Sequence, residues 1–528
     1  MKKEKNNFLM GALIIAISHI LVKIIGALYK IPLDRFILQT TGMGIYSSSY
    51  TIYNWLFVVS TAGLPVAISK LVSEARALGR EKEAYEIFRV SRILLICVGL
   101  TAFLIMLGFA VPFSKMISAE SSYLTMMVMA PSLFFVAVSS SYRGYFQGRE
   151  NMNPTAYSEV VEAVSKLLFG LLFAYLAMKL TGEYYIGSAG AISGVTLSTF
   201  FSFVFLDIYY KKHKKDIVMT SETNIAATGK ILSKLVKLAI PVTLGVSIFT
   251  LTSLIDTAMI MNQLSGIGFD EDTRLSMYGY LNRAITLFNL PPTVIASIAI
   301  SIVPAISSAI ALKDTETAHK NLISALKITV LFAMPCAMGL SSLASPVLSF
   351  IYNDGNYYHL LTVMGIATLF VTVVQVSNAL LQAYNKPWIP VFNMMIGGAI
   401  KIIVNLILVS NPAINIYGAP IGTTLCYMTV VLLNVIALKR ISGVKFSLTA
   451  FIIKPLIIGV ITFVTSSVTY RFSEPVLGGT VGLFAAIAVA VIFYAVSLLL
   501  IKALSKDEIL LLPKGRFILS KLERFKLI

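Results

Sequence analysis

Long apolar runs are the feature that most constrains the fold of this chain. A membrane-spanning helix needs about 20 mostly apolar residues, and fourteen such runs follow one another with only short connectors. Hydrophobic residues make up 57% of the 528 residues and charged residues only 13%. Because only helices and closed barrels satisfy their backbone within lipid, we predict an all-α integral membrane protein with about fourteen transmembrane helices. The runs are 8–30, 45–69, 91–113, 123–142, 155–180, 187–209, 231–262, 281–310, 323–351, 358–383, 388–410, 417–438, 449–470 and 477–503.

The formal net charge of +18 is explained by its distribution along the chain. Lys and Arg accumulate in every second connector, as in the stretches 70–92 and 211–215, whereas the intervening connectors hold few and one carries the acidic stretch 270–272. Cytoplasmic loops of membrane proteins collect Lys and Arg. We therefore expect a multi-pass protein of the plasma membrane with both termini in the cytoplasm and no nucleic-acid partner.

A weak internal repeat relates the two halves of the chain at an offset of about 235 residues. Lys166-Leu-Leu corresponds to Lys401-Ile-Ile, and Gly190-Ala-Ile-Ser-Gly corresponds to Gly418-Ala-Pro-Ile-Gly. The repeat holds six helices, an even number, so both halves face the same way across the membrane. This predicts two six-helix lobes in parallel repeat around a central cavity. The expected divisions are an N-lobe (1–228), a C-lobe (229–442), extra helices 13 and 14 (443–503) and a basic amphipathic tail on the cytoplasmic membrane surface (504–528).

Ionisable residues within the predicted helices are the candidate binding groups, because a charge near the bilayer centre costs about 2.5–3.5 kcal/mol on insertion scales. Cations outnumber acids there, which predicts a positively charged cavity for a phosphate-bearing substrate. Lys23 and Arg283 are the favoured ligands. Snorkelling to the membrane interface explains Lys30 better than substrate binding does. For Lys166 and Lys401, local pairing that braces the lobes is as good an explanation as substrate binding. The five candidates are Lys23, Lys30, Lys166, Arg283 and Lys401.

Three deep acids are candidates for coupling transport to an ion. Asp256 would suit a sodium ion or a proton, with a local salt bridge as the alternative, and Glu159 and Glu162 lie one turn apart. Glu162 precedes Lys166 by four residues, a spacing that allows an ion pair on one helix face. We find no nucleotide-binding loop, metal-ligand cluster or nucleophile motif. We therefore expect no cofactor, metal or catalytic residue, and transport driven by a Na⁺ or H⁺ gradient, by the membrane potential or by downstream consumption of the product.

Four stretches carry a resemblance to a known family. The sequence resembles the stage V sporulation protein B branch of polysaccharide biosynthesis proteins, relatives of the lipid II flippase MurJ in the multidrug/oligosaccharidyl-lipid/polysaccharide exporter superfamily. The stretches are Val22–Pro32, Gly63–Val72, Arg143–Gly148, and Leu287–Pro292 together with Ser301–Ser307.

The resemblance implies a V-shaped transporter whose central cavity alternates between the two sides of the membrane, with helices 13 and 14 beside a lipid-tail groove. It also implies cavity cations from helices 1, 2 and 8. Lys23 stands at the helix 1 position, as Lys rather than Arg. The stretch 54–57 of helix 2 supplies no cation, and Arg283 is the nearest cation in helix 8.

The function expected from residues and resemblance together is that of a flippase, not an enzyme. It would move a polyprenyl-pyrophosphate-linked sugar, lipid II for peptidoglycan synthesis, from the inner to the outer leaflet. The alternatives are a flippase for capsule or teichoic-type units, a multidrug cation antiporter, and a membrane glycosyltransferase. The antiporter would need more cavity carboxylates, and the glycosyltransferase a larger extramembrane domain. We expect a monomer whose partners are the anionic glycan lipid, membrane lipids and cell-wall synthesis proteins.

Overall fold

The computed structural model describes residues 18–213, 228–444, 446–501 and 503, and nearly all of that part of the chain is helical. Within it, eleven helices are long and apolar enough to cross a membrane. The all-α membrane fold is therefore confirmed, while the count of fourteen spans stays a prediction. The start of the first apolar run and the predicted basic tail at 504–528 lie outside the described residues.

The first of two compact units ends at Gly279. Its first two helices form a hairpin: the chain reverses at Gln39, whose φ is 51°, and the rings of Tyr29 and Tyr46 are 6.4 Å apart. A straight helix would hold those two residues about 25 Å apart. The helices of this unit are α1 (18–32), α2 (Gln39–Thr61), α3 (Leu64–Ala77), α4 (Glu81–Gly108), α5 (Ala110–Met116), α6 (Tyr123–Gly148), α7 (Asn153–Thr181), α8 (Tyr184–His213) and α9 (Thr228–Gly266).

The second compact unit begins at Tyr280, within α10 (Glu271–Phe288). The lobe boundary predicted at 228/229 comes from the internal sequence repeat, whereas the division at 279/280 separates two compact units. The predicted boundary stays a prediction. The remaining helices are α11 (Leu290–Ala311), α12 (Thr315–Ser342), α13 (Ala344–Tyr352), α14 (Tyr358–Ala383), α15 (Trp388–Leu408), α16 (Gly418–Ser442), α17 (Lys454–Leu477) and α18 (Gly479–Leu500).

Helix interruptions occur at matching places in the two halves of the chain. The runs at 45–69 and 281–310 each form two helices rather than the predicted one, and in both the second helix begins with Leu-Pro, at Leu64 and Leu290. Proline suits the first turn of a helix, where its missing N–H has no partner to lose. Similarly, α4 is followed by the short α5 and α12 by the short α13. These matched breaks fit the internal repeat.

The acidic stretch 270–272, predicted as a connector, begins α10 instead. The Asp270 carboxylate accepts hydrogen bonds from the Thr273 hydroxyl at 2.6 Å and the Thr273 backbone N–H at 3.1 Å. These two hydrogen bonds hold the pKa of Asp270 below its ordinary value. Glu271 and Asp272 occupy the first turn, where negative charge is favoured by the helix dipole. The acidity of this stretch is therefore a helix-start feature.

Glycines of the repeated motif allow close helix packing in each unit. A Cβ on Gly190 of α8 would lie 2.6 Å from the Phe173 carbonyl oxygen, and one on Gly194 would overlap the backbone of Gly170 in α7. In α16, a Cβ on Gly422 would overlap the Asn405 side chain of α15. Small residues let membrane helices approach closely, so the motif performs the same packing role twice.

Substitution of Gly194 by Ala should lower the free energy of unfolding by about 1–3 kcal/mol, because the added methyl group meets backbone that can move only with the helix. Gly339→Ala is the matched control, since a Cβ at that helical position has nothing within 4 Å. The measurement is thermal unfolding of the purified full-length protein in detergent. Equal melting temperatures for the two variants would contradict the close α7–α8 contact.

Candidate functional site

A pocket of about 250 Å³ lies inside the first unit, between α1, α2, α6 and α7. It gathers ionisable side chains in a region of the chain that is otherwise apolar. Two cations and two carboxylates share its walls with tyrosine rings. The lining residues are Val22, Gly26, Tyr29, Tyr50, Arg143, Glu159, Glu162, Ala163 and Lys166.

Arg143 of α6 and Glu162 of α7 form an ion pair on one wall. Nη2 of Arg143 lies 2.9 Å from Oε2 of Glu162, and the exposed fractions of the two side chains are 18% and 31%. The guanidinium also donates to the hydroxyl oxygens of Ser158 at 3.2 Å and Ser202 at 3.0 Å. The predicted pairing of Glu162 with Lys166 is therefore wrong, because an arginine from a neighbouring helix takes the carboxylate.

Lys166 of α7 lies instead against two aromatic rings. Its Nζ atom is 4.9 Å from the ring centroid of Tyr29 and 5.3 Å from that of Tyr50. An ammonium over a tyrosine face is attracted by the ring quadrupole, and the attraction grows when water is excluded. Within the described residues, no carboxylate oxygen lies within 4.0 Å of Lys166. Its positive charge is thus held by aromatic faces that leave its N–H donors for another group.

A row of aromatic side chains on α2 continues from this position. Tyr46, Tyr50, Tyr53 and Phe57 recur at helical spacing on one face, and successive ring centroids are 5.4–6.1 Å apart. Tyr29 of α1 joins the row and donates a hydrogen bond from its hydroxyl to the carbonyl oxygen of Ala191 at 3.3 Å. The row fixes the rings against which Lys166 packs.

Glu159 lies one turn before Glu162 and faces α1. Its Oε2 atom is 3.2 Å from Nε2 of His19, and the exposed fractions are 23% for Glu159 and 57% for His19. This contact is an ion pair only when the imidazole is protonated. Glu159 is therefore the acid of the pocket whose partner is an imidazole rather than a guanidinium.

The other predicted ligands lie in varied surroundings. Lys23 is exposed on α1, with no ion-pair partner in the described part of the chain. Lys30 is half-buried and interacts electrostatically with Asp34, which attracts it, and with Lys166, which repels it. Lys401 is half-buried on α15, and Asp256 is half-buried on α9. Of the predicted set, the structure brings together Lys166, Glu159 and Glu162, with Lys30 adjacent.

Arg283 belongs to a separate cluster in the second unit. Its side chain is 4% exposed, and its Nη1 atom lies 2.9 Å from Oδ2 of Asp354. Its guanidinium carbon lies 5.1 Å from the ring centroid of Tyr280 and 4.9 Å from that of Tyr352. In this conformation the residue is a buried ion-pair partner, which argues against the direct substrate contact expected from the sequence.

Two features of the pocket are missing from the sequence-based prediction. Arg143 counts there as a loop cation, because the apolar run ends at 142, whereas α6 continues to Gly148. The tyrosines of α2 are absent from the predicted site residues. Tyr46, Tyr50, Tyr53 and Phe57 are spaced by four, three and four residues, and this spacing is the signal that marks a continuous aromatic face on one side of a helix.

The pocket presents a lysine ammonium, tyrosine hydroxyls and aromatic faces, which together suit a phosphate or a hydroxyl-rich ring. Its volume is smaller than that of pockets for drug-sized ligands, about 300–1,000 Å³, so it fits part of a headgroup. Apolar helices packed around a charged pocket define the class of this protein as an integral membrane protein with a polar pocket among its helices.

Comparison with known proteins identifies the family. The family model "Polysaccharide biosynthesis protein" matches residues 8–310. Stage V sporulation protein B of Bacillus subtilis is 25% identical over 98% of this chain and 99% of its own length. Lipid II flippase MurJ of the same organism is 24% identical over 84% of each chain. A solved structure of lipid II flippase MurJ in an inward closed conformation has a TM-score of 0.69 at 15% identity, covering 92% of this chain and 99% of its own.

The chain belongs to the polysaccharide biosynthesis protein family. It is a membrane transporter rather than an enzyme, as its relatives indicate. The predicted resemblance and fold class are thereby confirmed.

Proposed function

We propose that this transporter moves a polyprenyl-pyrophosphate-linked sugar from the inner to the outer leaflet by alternating access, with lipid II as the favoured substrate. The observation that carries the proposal is the position of Lys166, a half-buried cation held by two tyrosine rings in the pocket of the first unit. Such a cation can attract a phosphate without first breaking a salt bridge.

Lys166 and the tyrosines would divide the recognition of the headgroup between them. A lysine ammonium binds phosphate as a point charge with three donors. Aromatic faces and phenol hydroxyls offer apolar contact and hydrogen bonds to a sugar ring. The Arg143–Glu162 pair would stay intact as a wall of the pocket, because each partner already satisfies the other.

Lipid II is favoured over other glycan lipids because one relative carries that substrate in its name. The match to this relative covers 84% of the length of each protein. The alternatives are a flippase for capsule or teichoic-type units and a multidrug cation antiporter. A cationic drug would be repelled by Lys166 and would find Glu162 occupied by Arg143, which argues against the antiporter. The central cavity between the lobes, the cytoplasmic placement of both termini and the monomeric state are further parts of this proposal.

Transport would be driven by an ion gradient or by the membrane potential. Glu159 is the acid best placed for coupling to protons, because its partner is His19 rather than a permanently charged arginine. Asp256 remains the candidate for a sodium ion. A Glu159→Gln variant should lose the dependence of transport on the proton gradient while keeping substrate binding.

The deciding experiment is a lipid II accessibility assay in cells depleted of every redundant flippase. Expression of this protein should restore labelling of lipid II at the outer surface and permit growth. Well-expressed protein that restores neither, while rescuing export of a capsule or teichoic-type precursor, would reassign the substrate. Drug resistance without any glycan phenotype would favour the antiporter.

A further inference from the structure

A second cavity of about 250 Å³ lies at one end of the first unit, where three helices finish together. It is bounded by the ends of α3, α6 and α8, and the start of α4 contributes Glu81 beside it. The distribution of Lys and Arg along the chain predicts that this end faces the cytoplasm. The lining residues are Arg76, Tyr145, Phe146, Arg149, Asn151, Tyr209, Tyr210 and His213.

Two arginines of this cavity are held by one carboxylate. Oε1 of Glu81 lies 3.0 Å from Nε of Arg76, and Oε2 of Glu81 lies 2.9 Å from Nη1 of Arg149. Each guanidinium has five N–H donors, and these contacts use one nitrogen of each. Two positive charges against one negative charge leave a net positive cluster whose geometry is fixed before any ligand arrives.

Aromatic side chains make the cavity wall rigid. Tyr145 and Tyr210 are buried, and their ring centroids lie 4.6 Å and 5.0 Å from that of Phe88. The Arg149 guanidinium lies 5.6 Å from the Tyr145 ring centroid and donates to its hydroxyl at 3.2 Å. The arginine is thus oriented by its own surroundings.

His213 completes the cavity at the end of α8. Its ring is stacked on Tyr209 at 4.2 Å, and its Nδ1 atom lies 2.9 Å from the Tyr209 carbonyl oxygen. A carbonyl oxygen only accepts hydrogen bonds, so Nδ1 of His213 is the donor of this one. The other ring nitrogen, Nε2, takes no part in this hydrogen bond. Lys212 precedes His213 in the same last turn and adds positive charge near the cavity, whereas Lys211 is paired with Asp207 at 2.6 Å.

We propose that this cavity binds a phosphate-bearing anion, and specifically that it seats the headgroup of an anionic phospholipid. Paired arginines bind phosphate oxygens through parallel N–H donors. Tyrosines beside Lys and Arg at helix ends are the composition of the membrane–water interface, where anionic headgroups lie. A bound headgroup would tie together the ends of α3, α6 and α8. The site is distinct from the Lys166 pocket and does not rest on the proposed transport substrate.

The test is a titration of the purified full-length protein, in nonionic detergent at constant ionic strength, with dihexanoyl phosphatidylglycerol. Dihexanoyl phosphatidylcholine and sodium phosphate form the comparison arms. Phosphatidylglycerol should bind, phosphatidylcholine should not, and Arg149→Gln should weaken binding at least about tenfold. Arg89→Gln is the matched control, because Arg89 is a 65%-exposed arginine of α4 whose ion-pair partner among the described residues is Glu86, and it should leave binding unchanged.

Glu81→Gln separates charge from folding, because it removes the negative charge and should tighten binding. Sodium phosphate competing at the same affinity as phosphatidylglycerol would support the anion site and overturn its assignment to a lipid. Unchanged binding in Arg149→Gln would overturn the site altogether. A loss of phosphatidylglycerol affinity in Glu81→Gln as large as that in Arg149→Gln would also overturn the site. Binding would then not follow the positive charge of the cavity.

Discussion

Lys166→Ala is expected to reduce flipping of the lipid-linked sugar by about 10- to 100-fold while the protein still folds and reaches the membrane. A hydrogen bond to a charged group contributes about 1.5–3 kcal/mol, and each 1.4 kcal/mol corresponds to about tenfold in an equilibrium constant. The variant keeps Tyr29 and Tyr50 but removes the cation between them. The measurement is outer-leaflet accessibility of lipid II in flippase-depleted cells, normalised to the amount of protein in the membrane.

Lys179→Ala is the matched control for that experiment. Lys179 lies on the same helix and also packs over a tyrosine, with its Nζ atom 5.9 Å from the Tyr175 ring centroid, but it is exposed at the helix end. Its removal should leave transport unchanged. Lys166→Arg should retain partial activity, because it keeps the charge while changing its shape. Equal transport by Lys166→Ala and Lys179→Ala would refute the role of Lys166.

Arg283→Ala is expected to lower the free energy of unfolding by about 3 kcal/mol. Removing one partner of a buried ion pair leaves the other charge uncompensated, which costs about 3–5 kcal/mol, and the 25% exposure of Asp354 places the effect at the lower end. The melting temperature of the purified protein in detergent measures it. Arg89→Ala should cost less than about 0.5 kcal/mol, because the Arg89 side chain is 65% exposed to solvent.

The pH dependence of this effect follows from Asp354. Burial raises the pKa of its carboxyl, but hydrogen bonds from the Asn356 backbone N–H, the Tyr280 hydroxyl and Arg283 outweigh it and hold the pKa below its ordinary value. A lowered folded-state pKa stabilises the fold above the ordinary carboxyl pKa of about 3.9. That stabilisation is lost as the pH falls through the folded-state value.

The difference in stability between wild type and Arg283→Ala should therefore be complete at neutral pH and shrink below about pH 4. Replacing both partners, as in Arg283→Met with Asp354→Asn, should recover much of the lost stability because no charge is left unpaired. A normally stable Arg283→Ala protein with no transport would instead return Arg283 to the substrate-binding set.

The class of fold follows from the amino-acid sequence. Repeated runs of about 20 apolar residues indicate membrane-spanning segments. Within lipid the backbone must satisfy its own hydrogen bonds, so these segments form helices. The repeat at about 235 residues also marks Gly194 and Gly422, which occupy equivalent positions of the repeated motif and are both packed closely against the neighbouring helix. These properties are local in the chain, so a single sequence carries them.

Which charged side chains contact one another depends on how the helices pack. The four-residue spacing predicts that Glu162 pairs with Lys166, yet Arg143 reaches Glu162 from α6 and two tyrosines receive Lys166. Arg283 likewise finds Asp354, some seventy residues away. Helical spacing limits which residues share a face, but the partner across the helix–helix contact depends on how helices far apart in sequence pack. That packing depends on the side chains along the full length of both helices, so it cannot be predicted from any single stretch of the sequence.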